Sequence, residues 1–273
     1  MWYDIRNEDC RETLKNLYEG SIDVVLTSPF YNTNRPIIVK LREGHAPEGR
    51  YDVHLDNLTS EEYIDFSTQL FYDFDRVLKP NGVVLYNINY GSENTEDLFL
   101  VVSNIILKTN FTVADVICWK KQSAIPNNVS PNKLTRIWEF VFVFCRKTEF
   151  GSFYMNKSVV STMPSGQKVF ENVFNFIEAP NNDGSCNLNK ATYSSELCRK
   201  LLNLYARNSE DTIVYDPFNG TGTTGVACKE LNINYIGSEI SSKQVEFSKK
   251  RIEGASVYIP QSEEFEKKSL IDF

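Results

Sequence analysis

Two short constellations in this sequence combine residue types that could do chemistry. The first is Tyr215 to Ala227, YDPFNGTGTTGVA, in which Gly220, Gly222 and Gly225 fall at the GxGxxG spacing. Glycines at that spacing let a backbone approach a ligand closely, and a carboxylate at the end of the next strand, here Glu239, can accept both hydrogens of a ribose diol. Alone, the pattern suits a dinucleotide, another nucleoside or a tight strand-to-helix turn. The prefix Asp216-Pro217-Phe218 narrows the choice. A carboxylate just before the loop repels a pyrophosphate, whereas it accepts from the cationic amino group of an amino-acid-bearing nucleoside.

The second constellation is Thr27-Ser28-Pro29-Phe30-Tyr31, directly after an apolar run. An exocyclic amino group is a poor nucleophile because its lone pair is delocalised into the ring. Attack by it needs acceptors that pull the nitrogen toward tetrahedral geometry and hold it in line with a donor. The Ser28 hydroxyl and the Pro29 carbonyl can be those acceptors. Tyr31 offers a face for a flipped base and Phe30 a second one, while proline limits backbone freedom between them. The bland reading is a post-strand turn over a packed aromatic. Together the constellations favour S-adenosyl-L-methionine, which carries an ammonium group and no phosphate.

Both constellations need a scaffold that brings them to one edge. Ser21 to Leu26 reads as a buried strand, and Thr59 to Leu78 as a helix capped by a hydroxyl and stopped by Pro80-Asn81-Gly82. Strand patterns follow at Gly82 to Ile88, Phe111 to Trp119 and Ile137 to Cys145, with a helix at Glu96 to Lys108. A second block has a helix from Ser194 to Arg207, a strand at Thr212 to Tyr215, a helix from Gly222 to Leu231, a strand at Asn234 to Ser238 and a last helix to Arg251. This alternation predicts a doubly wound, mostly parallel α/β sheet, which places ligands at the carboxyl ends of its strands. The expected division is a catalytic half (1–147), an irregular insert (148–188), a cofactor half (189–255) and a tail (256–273).

Composition removes several classes. Six scattered cysteines without a CxxC pair, and only two histidines, argue against zinc or a disulfide framework. No metal is expected. The absence of a Pro-Cys dipeptide argues against attack on cytosine carbon-5 by a thiolate. No apolar run is long enough for a membrane span, and the charged opening is unlike a secretory signal, so the expected location is cytoplasmic, without a membrane partner. A net charge of −7 confines phosphate contacts to local patches. The candidates are Arg35, Lys40, Arg42 and Arg50, and then Lys120, Lys121, Lys133, Arg136, Arg146 and Lys147, with solvated surface charge as the alternative.

These residues resemble the amino-methyltransferase family of DNA modification enzymes, in the permuted arrangement with the catalytic tetrapeptide before the cofactor loop. The resemblance implies methyl transfer from S-adenosyl-L-methionine to cytosine N4 or adenine N6, on double-stranded DNA, by base flipping. Ser28 to Tyr31 matches the catalytic motif, and a leading serine is commoner among N4-cytosine enzymes. Asp216, Phe218, Gly220, Thr221, Gly222, Thr223 and Thr224 match the cofactor loop, and Glu239-Ile240 the ribose-binding strand end. Asp9 and the Cys10 backbone would lie near the adenine of the cofactor. Asn189, Ala191 and Thr192 stand in the segment that helps hold the methionine moiety, although Asn189-Lys190 replaces the usual His-Pro. Phe30 stands where a second proline is usual.

The same resemblance assigns Thr148 to Leu188 to target recognition and the stretch from Asn32 to Leu58 to a second DNA-facing element. It places Trp119-Lys120-Lys121 and Arg136 to Lys147 near the substrate opening, with Trp138 equally suited to the core. A homodimer and a cognate restriction endonuclease are further candidate partners. Two other functions fit parts of the sequence: an NAD-dependent oxidoreductase, through GTGTTG, and a catalytically inactive DNA-binding relative.

Overall fold

The structure is a computed structural model and describes residues 1–32, 57–90, 95–124, 126–184, 188–189 and 192–256. The chain runs β1 (Tyr3–Arg6), α1 (Cys10–Asn16), β2 (Ile22–Thr27), α2 (Ser60–Val77), β3 (Leu78–Ile88), α3 (Thr95–Lys108), β4 (Phe111–Lys121) and β5 (Trp138–Arg146). It continues with β6 (Val159–Thr162), β7 (Lys168–Phe170), β8 (Phe176–Ala179), α4 (Ser195–Tyr205), β9 (Ile213–Asp216), α5 (Thr223–Glu230), β10 (Asn234–Ser238) and α6 (Ser242–Gly254). Eight strands form one sheet in the order β1-β10-β9-β2-β3-β5-β4-β8. Neighbours are parallel except at β5, which is antiparallel to β3 and to β4. The architecture is therefore doubly wound α/β, as expected.

Alternation of side chains explains why the central strands read as unbroken apolar runs. Val83, Leu85, Val141 and Val143 face the side covered by α4, α5 and α6, and Val84, Tyr86, Phe142 and Phe144 face the side of α1, α2 and α3. α2 starts at a full capping box, in which the Thr59 hydroxyl accepts from Glu62 N and the Glu62 carboxylate accepts from Thr59 N. It buries Phe71 and Phe74 on one face. Phe71 lies 4.8 Å from Phe144 and 5.3 Å from Phe111 between ring centroids. Each such fully buried ring contributes roughly 1.5–3 kcal/mol.

Three features depart from the sequence reading. Pro80-Asn81-Gly82 does not precede β3 but lies inside it: pairing with β2 jumps from Ile22↔Leu78 to Val24↔Val83, so the breakers form a bulge. β1 was not anticipated, having only four residues at the sheet edge. The stretch 148–188 is also not wholly irregular, since β6 and β7 pair and β8 extends the main sheet beside β4. Arg146, a candidate phosphate contact, instead braces the fold. Its guanidinium donates to the carbonyls of Asp75 and Leu78 and pairs with Asp75 and Glu149.

Arg35, Lys40, Arg42 and Arg50, most of the stretch from Asn32 to Leu58, Lys190, Ala191 and the tail from 257 lie outside the described residues. Among the described residues no helix is long and apolar enough to cross a membrane.

Candidate active site

Strand order fixes where the site is. β9 connects onward to β10 on one side and β2 onward to β3 on the other, while β9 and β2 are themselves paired. Such a switch point opens a crevice at the carboxyl ends of the two strands. The loop after β9 is the glycine loop, and the loop after β2 carries Ser28 to Tyr31. The two constellations therefore share one edge.

Asp216 ties them together. One carboxylate oxygen accepts from the Thr27 hydroxyl (2.7 Å) and from Phe218 N (3.0 Å). The other accepts from the Thr224 hydroxyl (2.6 Å) and the Tyr193 hydroxyl (3.4 Å). Asp216 is 1% exposed. Burial pushes its pKa up and the four hydrogen bonds oppose that rise. The sequence suggested that this carboxylate meets the ligand's ammonium group directly; the structure puts it beneath the loop as a clasp. Tyr193, not foreseen as a site residue, completes the clasp: its hydroxyl also lies 2.5 Å from Thr224 Oγ1, and its single proton goes either there or to Asp216.

The three glycines divide in role. Gly220, at φ +51°, lines the crevice, and its N–H donates to Glu239 at 2.9 Å. Gly222, at φ +82°, faces α6, where an added Cβ would lie 2.3 Å from the Ser248 hydroxyl. At Gly225 an added Cβ would lie 2.3 Å from Ile252. Gly222 and Gly225 thus serve the packing of α5 against α6 rather than close approach to a ligand.

The crevice encloses about 310 Å³. Phe30, Phe66 and Phe218 form an aromatic wall, with Phe30 5.5 Å from Phe66 and 6.1 Å from Phe218. Phe30 packs the loop after β2 onto the loop after β9, and its carbonyl accepts from Tyr63 at 2.6 Å. Glu8, Asp9 and Glu239 line the same crevice. Asp9 caps α1, and the Arg11 guanidinium, followed by the Arg11 backbone N–H, holds its carboxyl below the usual range against the effect of burial. Arg11 is the one cationic side chain on the crevice among the described residues, and it is paired with Asp9 through two bonds.

Of the predicted residues, Ser28, Phe30, Asp9, Cys10 and Ile240 line the crevice, as do Phe218, Gly220, Thr221, Thr223 and Glu239. Asn189 and Thr192 line it as well. Burial pushes the Cys10 thiol far up, with the Asp9 charge adding to it, which leaves no reactive thiolate there. Pro29, Tyr31, Asp216, Gly222 and Thr224 are not among the lining residues. Tyr31 was expected as a stacking face; its hydroxyl lies 3.1 Å from Ser28 Oγ, 3.1 Å from Asn87 Oδ1 and 2.9 Å from Glu139 Oε2. Glu8, Phe66, Asn87, Glu139 and Gln244 were missed. Glu139 alone left a visible mark, as one charge inside the aromatic run IWEFVFVFC.

Known proteins supply the family. The family model for DNA methylases of the N6/N4 methyltransferase type matches residues 22–250. This chain belongs to that family of DNA methylases. The methylase is 26% identical over 253 residues to the type II methyltransferase M.HpaI of Haemophilus parainfluenzae, covering 89% of this chain and 71% of that one. It is 24% identical over 258 residues to M2.MboI of Moraxella bovis, covering 91% and 87%. In fold it resembles the PvuII cytosine-N4-specific DNA methyltransferase, with a TM-score of 0.67 at 18% identity over 92% and 86% of the two chains. It also resembles the structure of M1.HpyAVI, with a TM-score of 0.58 at 21% identity over 92% and 98%.

Near the methylase's crevice the expected basic and aromatic groups sort unevenly. Trp119 is buried, with its indole N–H donating to Ala179 O, so it is core rather than opening; Trp138, on the neighbouring strand, is exposed instead. Lys120 pairs with Glu178 and Lys121 with Glu139. Lys147 donates to the Ile106 and Thr109 carbonyls at the end of α3. Arg136 stacks on Tyr90 at 4.4 Å.

Proposed function

We propose that this methylase moves a methyl group from S-adenosyl-L-methionine to an exocyclic amino nitrogen, cytosine N4 or adenine N6, of a base flipped out of duplex DNA. The observation that carries the reading is the shared crevice, on which Ser28 of one loop and Gly220 and Phe218 of the other all stand. The aromatic wall suits a purine ring, Glu239 suits a ribose diol, and the excess of carboxylates over cationic side chains on the crevice suits a cation. Glu8, Asp9 and Glu239 with no unpaired cationic side chain among the described lining residues would repel a pyrophosphate, which disfavours NAD. When bound, the cofactor supplies an electrophilic methyl on a sulfonium.

The chain's own residues do the rest. Ser28 Oγ and the Pro29 carbonyl accept from the target amino group, drawing its lone pair out of conjugation, and Phe30 holds their loop against Phe218. Transfer is direct, without a covalent intermediate, and the amino nitrogen gives up its surplus proton to solvent as it gains the methyl. The serine-led motif favours cytosine.

Mass spectrometry of nucleosides from DNA incubated with the protein and the cofactor tests this, with N4-methylcytosine or N6-methyladenine as the expected product. An active product together with Tyr31→Ala that binds S-adenosylhomocysteine like the wild type, yet turns over at least about a hundredfold more slowly, supports the assignment of roles. Cofactor binding without transfer to any DNA would favour an inactive DNA-binding relative.

A further inference from the structure

A carboxylate outside the catalytic tetrapeptide is wired to its serine. Glu139, on β5, is 8% exposed, and its two oxygens have different partners. Oε1 takes the Lys121 ammonium from the neighbouring strand β4, and Oε2 lies 2.9 Å from the Tyr31 hydroxyl. That hydroxyl is in turn 3.1 Å from Ser28 Oγ. Asn87 of β3 presents its carbonyl oxygen to the same hydroxyl at 3.1 Å, with its orientation fixed by the amide donating to Phe140 O at 2.9 Å. Ser28 lines the crevice and Glu139 does not.

The direction of the bonds follows from what each group can give. An ionised carboxylate only accepts, and Asn87 Oδ1 only accepts, so the single Tyr31 proton goes to one of them, with the charge-assisted bond to Glu139 the stronger. Having given its proton away, Tyr31 Oη can only accept from Ser28, and the Ser28 hydroxyl is the donor. With its proton turned toward Tyr31, Ser28 can present only lone pairs to the crevice, which is the polarity an amino group needs in order to donate. Resting on the functional reading above, we propose that Glu139, paired with Lys121, is a positioning residue that fixes the donor direction along Tyr31 to Ser28 and so makes Ser28 an obligate acceptor for the target amine. A neutral side chain at 139 would let the chain run either way, and a Ser28 proton aimed into the crevice would oppose the substrate N–H.

The test uses the full-length protein, S-adenosyl-L-methionine and the DNA it methylates. Glu139→Gln and Tyr31→Phe are each expected to lower kcat by about tenfold or more, with the Kd for S-adenosylhomocysteine and for DNA unchanged, since the near-isosteric changes remove bond direction and not shape. The double variant should be no slower than the slower single one, because both cut the same chain. Lys121→Gln gives a readout that a merely structural role would not move. Lys121 from β4 and Tyr31 from the loop after β2 are the charged and titratable groups bonded to Glu139 among the described residues. Losing the Lys121 cation leaves Glu139 Oε1 without its ion-pair partner and lets the carboxylate turn away from Tyr31, so Lys121→Gln should also lower kcat with the Kd for S-adenosylhomocysteine unchanged. Wild-type turnover with full kcat in Glu139→Gln, multiplying losses in the double variant, or an undiminished kcat in Lys121→Gln would each overturn the proposal. A wild type that methylates no DNA would overturn the functional reading, and this proposal with it.

Discussion

The loops after β9 and after β2 leave paired strands side by side, yet they use their polar atoms in opposite ways. At the end of β9, Asp216 meets four donors from its own protein and is buried. In the β2 loop, Ser28 has one side-chain bond, to Tyr31, and faces the crevice. A group saturated by internal partners can hold geometry but has no capacity left for a ligand. A group tethered on one side only keeps lone pairs for chemistry. Adjacency therefore does not imply a shared role: one loop supplies the clamp, the other the acceptor.

The sharpest break of this contrast is Asp216→Ala. It removes the acceptor for the hydroxyls of Thr27, Thr224 and Tyr193 and for Phe218 N at a site 1% exposed. Leaving several buried donors unsatisfied should cost about 3–5 kcal/mol, visible in chemical denaturation, and calorimetry should show no binding of S-adenosylhomocysteine. If stability were untouched and only affinity fell, Asp216 would be a ligand contact and the contrast would collapse.

Gly222 and Gly220 repeat the contrast within a single loop. Gly222→Ala meets both a left-handed backbone at φ +82° and a 2.3 Å approach to Ser248, and should destabilise by about 2–4 kcal/mol. Gly220→Ala, at φ +51° with Asn189 Nδ2 at 3.2 Å, should cost only about 1–2 kcal/mol. Paired denaturation curves check the order. Equal losses would mean that α6 yields and that Gly222 is not a packing glycine.

What the sequence showed, and what it hid, follows the same division. The long periodic elements were readable because each carries its own signal: α2 has its capping box and apolar face, and β5 its apolar run. Both loops were readable because their residues are contiguous. The clasp was not, since Thr27, Tyr193 and Asp216 are far apart in the chain and meet only when β2 pairs with β9. The glycine roles depended on Ser248 and Ile252 of α6, which no local pattern around Gly222 or Gly225 encodes. β1 and β8 have four residues each, too few to show a period, and are held by partners at the sheet edges. Trp119 lies in the core rather than at the opening because β8 pairs with the end of β4, where Ala179 O accepts from its indole N–H; Trp138 is the exposed one.

The smallest effect separates Asp9, at the cap of α1, from Asp216 by the sign of their pH dependence. Asp9, at the crevice rim, has its pKa lowered chiefly by the Arg11 guanidinium, whereas burial raises that of Asp216. A lowered pKa means that the folded state holds the proton less tightly than the unfolded chain, so the stability Asp9 contributes is present above the ordinary carboxylate pKa. It is lost as pH falls through the lowered value. For Asp216 the sign reverses, and the contribution of its protonated form is present at low pH and fades as pH rises through the raised value. Asn caps a helix about as well as Asp, so Asp9→Asn removes only the charge. With both partners substantially exposed and screened by salt, the loss near pH 7 should stay below about 1 kcal/mol. Thermal scans of Asp9→Asn against the wild type should show a gap at neutral pH that closes as pH falls below the ordinary carboxylate range. A gap that instead widened on acidification would mean that burial, not Arg11, governs Asp9, and that the rim carboxylate behaves like the clasp.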